Sequence, residues 1–470
     1  MTIYRGLRTP SHGPLDPKAS PLALKKPTSS MAALRLPASL ICIILGFSAT
    51  AIAADVAGAE QRLIPFDEFI ASVVSAPSVP PVDGAVAPAS TLPSLKSYLN
   101  GLYAGVDAKA VKHSFVDDNG TAFDCIPMSQ QPALRGSAGP LPTAPDIPGT
   151  AQVAASADDG QNLVRTLWPD DRDRFGNATV CPTSTIPMAR VTLEELARFP
   201  SLDAFFSKDG KALRGDQTLA VQPSVAATHR YAHAYQFTNN LGGHSYLNFW
   251  DPGIGANQVF SLSQHWYVAG TGNNLQTAEV GVQIFPQSYG TTKPVFFTYW
   301  TADAYQRTGC YNLTCPAFVQ TNRSWALGGA ISPWSTPNGA QYELEITYYL
   351  YQGNWWLYVN GTSAANAIGY YPGTIYNGGA LTKGATEIDY GGEVVGTISW
   401  PPMGSGKFAK KGYGKSAYHR AIYYFSMTGT KTNANLTVDQ QWPWDYTATV
   451  TTYSSPWNET LFFGGPGGNS

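Results

Sequence analysis

Ala278-Glu279-Val280-Gly281-Val282-Gln283-Ile284-Phe285 decides how the second half of this chain is read. Its branched apolar residues favour a strand, and a period of two puts Ala278, Val280, Val282 and Ile284 on one face. Glu279, Gly281 and Gln283 fall on the other face as a carboxylate, a gap and an amide. That face suits a groove floor which a substrate backbone approaches closely, although on pattern alone a plain solvent-facing strand explains it better. Similar runs recur at 258–262, 295–300, 342–350, 355–359, 393–400 and 421–427, separated by Gly, Pro and Asn turns. Many short strands with strong turn signals and no fixed-period repeat predict an all-β protein, an antiparallel β-sandwich rather than a propeller or solenoid. The sandwich is expected over residues 221–470.

Composition supports strands and excludes one class of partner. The 470 residues include 46 Gly, 35 Pro and 26 Tyr, and 43% are hydrophobic, enough for a sizeable core. Only 13% are charged, and 30 basic against 32 acidic residues give a net charge of −2. This balance provides no electrostatic footprint for nucleic acid. Residues 225–470 hold 11 acids, six of them Glu, so each strand carboxylate there needs a reason.

The N-terminus reads as an address. Arg35 precedes an apolar run over 40–47 and the small-residue pattern Ala51-Ile52-Ala53, so residues 1–53 are an N-terminal extension and signal peptide. No other stretch of 18 apolar residues follows, and the mature chain is expected outside the cell or in a periplasm, off the membrane. Cys42 lies in the signal. Of the remaining four, Cys310 and Cys315 suggest a short loop staple, which leaves Cys125 with Cys181. A zinc site is the rival reading, but no His flanks either pair at ligand spacing.

Residues 54–220 read as a small mixed α/β pro-region. Helical patterns occur at 66–70 and 94–106, and a hairpin over 113–126 turns at Asp118-Asn119-Gly120. Pro-rich linkers cover 76–93 and 131–160. Thr192 caps a helix that carries Glu194 and Glu195 in its first turn. The stretch 208–226 is polar and unpatterned, an expected exposed boundary open to nicking.

Other candidate residues are few. In Tyr390-Gly391-Gly392-Glu393-Val394 two glycines before a strand carboxylate again permit close backbone approach, the alternative being a turn into a strand with an exposed Glu. Glu343 and Glu345, at i,i+2 with Thr347, fit a plain exposed face and read as scaffold. His229, His233, His244 and His265 lack ligand context and read as surface or satisfied core histidines. Ser405 lacks the frame of a nucleophile elbow.

Several ordered motifs resemble one family. Phe297-Thr298-Tyr299-Trp300-Thr301-Ala302-Asp303-Ala304-Tyr305, Thr308-Gly309-Cys310-Tyr311, Gly353-Asn354-Trp355-Trp356, Ile368-Gly369-Tyr370-Tyr371-Pro372, Gly391-Gly392-Glu393-Val394 and Pro402-Met403-Gly404-Ser405-Gly406 resemble the signature of the neprosin family. Upstream, Phe123-Asp124-Cys125-Ile126, Gln131-Pro132-Ala133 and Cys181-Pro182 with Ile186-Pro187 resemble its activation peptide. The resemblance implies a secreted glutamic peptidase made as a zymogen, cleaving after proline in acid without metal or cofactor. It puts the catalytic glutamates at Glu279 and Glu393. Val282, Tyr371 and Tyr390 depart from tryptophans usual at those places and are expected to reshape the groove.

Two carboxylates suffice for peptide hydrolysis, one taking a proton from water and the other donating one. Gln283 and Tyr299 are candidates for oxyanion or positioning contacts. The expected partners are peptide or protein substrates, proline-rich ones among them, acted on by a monomer. Two rivals use the same features: a two-carboxylate glycoside hydrolase, and a non-catalytic carbohydrate- or cell-wall-binding sandwich.

Overall fold

The computed structural model describes residues 63–75, 86–137, 139–147, 172–174, 178–210, 228–255 and 258–469. The expected signal peptide and most of the 208–226 stretch lie outside the described residues.

The N-terminal part combines helices with one small sheet. Helix α1 (Phe66–Ser75) and helix α2 (Leu92–Tyr103) pack on strands β1 (Ser114–Val116), β2 (Ala122–Pro127) and β3 (Thr185–Ala189). The hairpin β1–β2 turns where Asp117 accepts from the backbone N–H groups of Asn119 and Thr121, an Asx arrangement that fixes the turn. Cys125 on β2 is bonded to Cys181. Asp124 and Arg190 form a buried fork-to-fork ion pair, with Arg190 over the Phe69 ring. Helix α3 (Leu193–Ala197) carries a complete capping box between Thr192 and Glu195, and α4 (Leu202–Phe206) is capped by Ser201.

The body is a two-sheet sandwich. In chain order its strands are β4 (Thr228–Asn240), β5 (Gly242–Asn248), β6 (Gln258–Ala269), β7 (Gln276–Ile284), β8 (Val295–Thr301), β9 (Cys310–Tyr311), β10 (Val319–Gln320) and β11 (Glu343–Tyr351). There follow β12 (Asn354–Val359), β13 (Ala367–Pro372), β14 (Ala385–Gly396), β15 (Ala417–Phe425), β16 (Lys431–Asn433), β17 (Thr437–Gln440), β18 (Thr447–Thr452) and β19 (Glu459–Gly464). One sheet runs β17-β4-β14-β6-β7-β8-β9; the other runs β10-β13-β12-β11-β5-β15-β19-β18, with β16 against β15. All the paired strands are antiparallel, as the alternation predicted. Cys310 and Cys315 are bonded at the edge of the first sheet, so no cysteine pair is left to hold zinc.

The faces of both sheets that meet bury large rings, among them Tyr267, Tyr348 and Trp355. Each contributes on the order of 2–3 kcal/mol through area removed from water. The three departures from the family pattern belong to this interior. Val282 and Tyr390 sit on alternate positions from the glutamates, while Tyr371 packs edge-on against Phe318. They fill the core rather than reshape a groove.

Two expectations are corrected here. The strand expected over 393–400 instead spans Ala385–Gly396. It runs through Gly391 and Gly392, residues that disguise a strand in sequence. Their missing side chains serve packing: a Cβ on Gly392 would lie 2.5 Å from the Met403 sulfur. Likewise a Cβ on Gly281 would meet the Ser263 carbonyl at 2.1 Å. These glycines admit neighbouring protein atoms, not a substrate backbone.

Candidate active site

Glu279 and Glu393 share one face of the seven-stranded sheet. Glu279 lies on β7 and Glu393 on β14, with β6 between them. Period-two alternation gives both the face turned away from the sandwich interior. That face is not open to solvent, because the N-terminal part covers it. Both carboxylates are 0% exposed. The solvent-facing reading of the 278–285 strand fails for this reason.

The two carboxylates meet over one ammonium group. Lys208 Nζ lies 2.7 Å from Glu279 Oε2 and 2.8 Å from Glu393 Oε2. The rings of Trp266 and Tyr305 flank the ammonium at 5.5 and 5.4 Å. Lys208 follows α4, in the stretch expected to be exposed. Its side chain is buried, a correction of that expectation.

Each carboxylate also has its own donors from the body. Glu279 Oε1 accepts from the Tyr305 hydroxyl at 2.7 Å and the Thr277 hydroxyl at 2.8 Å. Glu279 Oε2 accepts from Gln264 Nε2 at 2.9 Å. On Glu393, Oε1 contacts His229 Nδ1 at 2.5 Å and accepts from the Tyr231 hydroxyl at 3.2 Å. The other His229 nitrogen lies 3.5 Å from Asp209, so the segment delivers a counter-charge to this ring too. His229 is therefore part of the site rather than a bystander.

These contacts set the charges. Burial pushes the Glu393 pKa up, but Lys208 and His229 outweigh it and hold it down at about 2. Burial opposes charge on His229, yet Asp209 and Glu393 raise its pKa to about 9. Lys208 is likewise raised, the two glutamates overcoming the cost of burial. Lys208, His229 and Glu393 are thus each held in the charged form by a partner, although all are buried.

The two other candidates lie elsewhere on the same face. Gln283 does not reach either glutamate; its Nε2 donates to the Tyr311 hydroxyl at 3.2 Å. Tyr299 is directly opposite Glu279 across β7 and β8, and its hydroxyl donates to the Phe206 carbonyl at 3.1 Å. Away from the site, Glu343 is buried rather than exposed, bonded to Arg420 and Tyr418. Of the residues not singled out from sequence, Thr277 lies two positions before Glu279 and so shares its face. Tyr305 closes a quoted motif. Lys208 carried no signal.

Fold and site together define a β-sandwich with paired buried carboxylates on one sheet face. The Neprosin family model matches residues 257–466, the stretch that holds β6 to β19. Among solved structures, the chain is similar to scytalido-glutamic peptidase bound to a transition state analog inhibitor. The identity is 7%, over 51% of this chain and 98% of that one, with a TM-score of 0.31. A second structure of that peptidase, with a peptide based transition state analog, matches with the same identity and coverage at a TM-score of 0.29.

Proposed function

We propose that this chain is the latent precursor of a secreted glutamic endopeptidase that cuts after proline in acid, with Glu279 and Glu393 as its catalytic carboxylates. The observation that carries this reading is the convergence of two buried carboxylates on a single ammonium supplied by another part of the chain. Without that ammonium, two carboxylates so close cannot both stay ionised in mild acid, and one keeps a proton. The ionised partner takes a proton from water as the water oxygen attacks the peptide carbonyl carbon. The protonated partner then gives its proton to the leaving nitrogen as the C–N bond breaks. Thr277, Tyr305 and Gln264 on one carboxylate, and His229 and Tyr231 on the other, remain with the body and hold both groups in place. The cleft occupant being polypeptide favours a peptide substrate over a sugar. No comparable observation favours the glycoside hydrolase or wall-binding readings.

Latency follows from the same contact. Residues 54–220 act as the pro-region and 221–470 as the catalytic domain, with Lys208 as a plug between the glutamates. Acid loosens the plug through Glu393. Its pKa is depressed while Lys208 is docked, so its contribution is full above its ordinary value of 4.5 and is lost as pH falls towards 2. Glu195 on α3 is tied to its own helix cap, its Oε2 accepting from the Thr192 N–H. A cut within the 208–226 stretch, beyond Lys208, then makes release permanent. A time course at acidic and neutral pH, with N-terminal sequencing and a proline-containing peptide, tests this. Activity should appear with the cut and only in acid; full activity of the uncut chain at neutral pH would overturn the zymogen reading.

A further inference from the structure

The cleft holds the N-terminal segment by its main chain as well as by Lys208. The Tyr299 hydroxyl donates to the Phe206 carbonyl at 3.1 Å, and the Tyr311 hydroxyl donates to the Lys208 carbonyl at 2.7 Å. The acceptors belong to alternate residues of one chain. The donors are cross-strand neighbours, Tyr299 on β8 opposite Tyr311 on β9, with ring centroids 4.6 Å apart. Because Tyr299 is also opposite Glu279, the three side chains form a row across the sheet face. In the strand order this row runs from Glu279 away from Glu393.

Both hydroxyls are held in place by the body. A Cβ on Gly309 would lie 2.4 Å from the Tyr299 hydroxyl, so glycine there makes room for it. Tyr311's hydroxyl accepts from Gln283 Nε2, which leaves its own proton to be given outward. Gln283 Oε1 is in turn met by the Tyr289 hydroxyl at 3.5 Å. Both tyrosine rings are buried. When the segment leaves, each hydroxyl loses a carbonyl acceptor, and a buried donor without a partner is costly.

We propose that Tyr299 and Tyr311 form a main-chain clamp for the substrate. Their hydroxyls donate to two peptide carbonyls on one side of the scissile bond, the places that Phe206 and Lys208 fill in the latent chain. Such a clamp reads backbone and not side chains, so it supplies affinity without sequence preference. Gln283 is a positioning residue that acts through Tyr311. This inference rests on the peptidase reading above.

The test uses full-length protein incubated in acid, with one cleavable peptide and versions shortened residue by residue from each end. Tyr299→Phe and Tyr311→Phe should each raise KM about three- to tenfold, as loss of one neutral hydrogen bond predicts, with kcat within about twofold. Trimming the wild-type substrate at one end should give a similar loss, to which the matching variant no longer responds. The same variants should come out of latency faster, because the docked segment loses the same bond. A merely structural role would lower thermal stability and show no coupling to substrate length. If the wild-type protein cuts no peptide, the peptidase reading fails and takes the clamp with it. If it cuts, and both variants keep the wild-type KM and length dependence, the clamp alone fails.

Discussion

The two sheets each bury a carboxylate cluster built across a central strand, and the clusters differ in where the positive charge comes from. In the nine-stranded sheet Glu343 on β11 and Arg420 on β15 flank β5, and Arg420 reaches both oxygens of Glu343, at 2.9 Å and 2.8 Å. Tyr246 of that middle strand lies under the guanidinium at 4.1 Å. In the seven-stranded sheet Glu279 on β7 and Glu393 on β14 flank β6 in the same way, with Trp266 of β6 near the ammonium. Here both flanking charges are negative, and the cation that bridges them arrives on Lys208 from outside the sandwich. The first cluster is complete within the body. The second is complete only while the N-terminal segment stays.

That difference separates a structural ion pair from a reactive one, and mutation can break either. The largest effect is expected at the glutamates. Glu279→Gln or Glu393→Gln should leave folding intact and lower peptide cleavage by about 10²–10⁴-fold, the usual weight of a lost acid or base; circular dichroism and initial rates check both halves. Next comes the exchange of cations. Lys208→Met leaves two carboxylates facing each other and should weaken docking by about 3–5 kcal/mol, the cost of breaking a buried pair. Activity before any cut, measured in mild acid above pH 4.5, where the wild-type segment stays docked, reads that loss. Arg420→Met should cost a similar amount but in thermal stability of the body, with latency unchanged. Equal effects of the two changes on latency would erase the distinction.

The pH response sharpens it further. With Glu393 held at about 2, docking is lost as pH falls below 4.5. His229 acts at the other end: Asp209 of the segment joins Glu393 in raising its pKa to about 9, and the share of docking that Asp209 supplies is lost as pH rises through 9. Asp117 works against acid release. Burial raises its pKa to about 6, and it accepts from Ala330 N–H of the body, so the docked form gains a proton as pH falls through 6. The smallest change follows from His229→Gln. Removing the imidazolium lets the Glu393 pKa rise, so acid release should begin about one unit higher. A titration of latency against pH for both proteins measures it.

The sandwich was legible because alternation and turn residues act locally, and the strands at 276–284 and 295–301 follow them closely. Period-two logic also placed Glu279 on the face opposite Ala278, Val280, Val282 and Ile284. It could not say what covers a face, since burial by a distant segment leaves no mark on the strand. Glu343 and Glu279 were both read as exposed on pattern for that reason. Lys208 was invisible because it sits in a short turn after α4, with no periodicity, and its partners lie far along the chain. The glycines beside the glutamates were visible, but their purpose depends on neighbours such as Met403 that only the fold brings close. The four cysteines gave the correct pairs because spacing alone limits so few.

The most direct measurement incubates wild-type, Glu279→Gln and Glu393→Gln proteins in acid with one proline-containing peptide and maps the cuts by mass spectrometry. Wild-type protein should release fragments ending in proline, and neither variant should do so at a comparable rate despite native folding. Equal cutting by a Gln variant, or an intact peptide after exposure to acid-released wild-type protein, would contradict the pairing of Glu279 and Glu393 as the catalytic carboxylates.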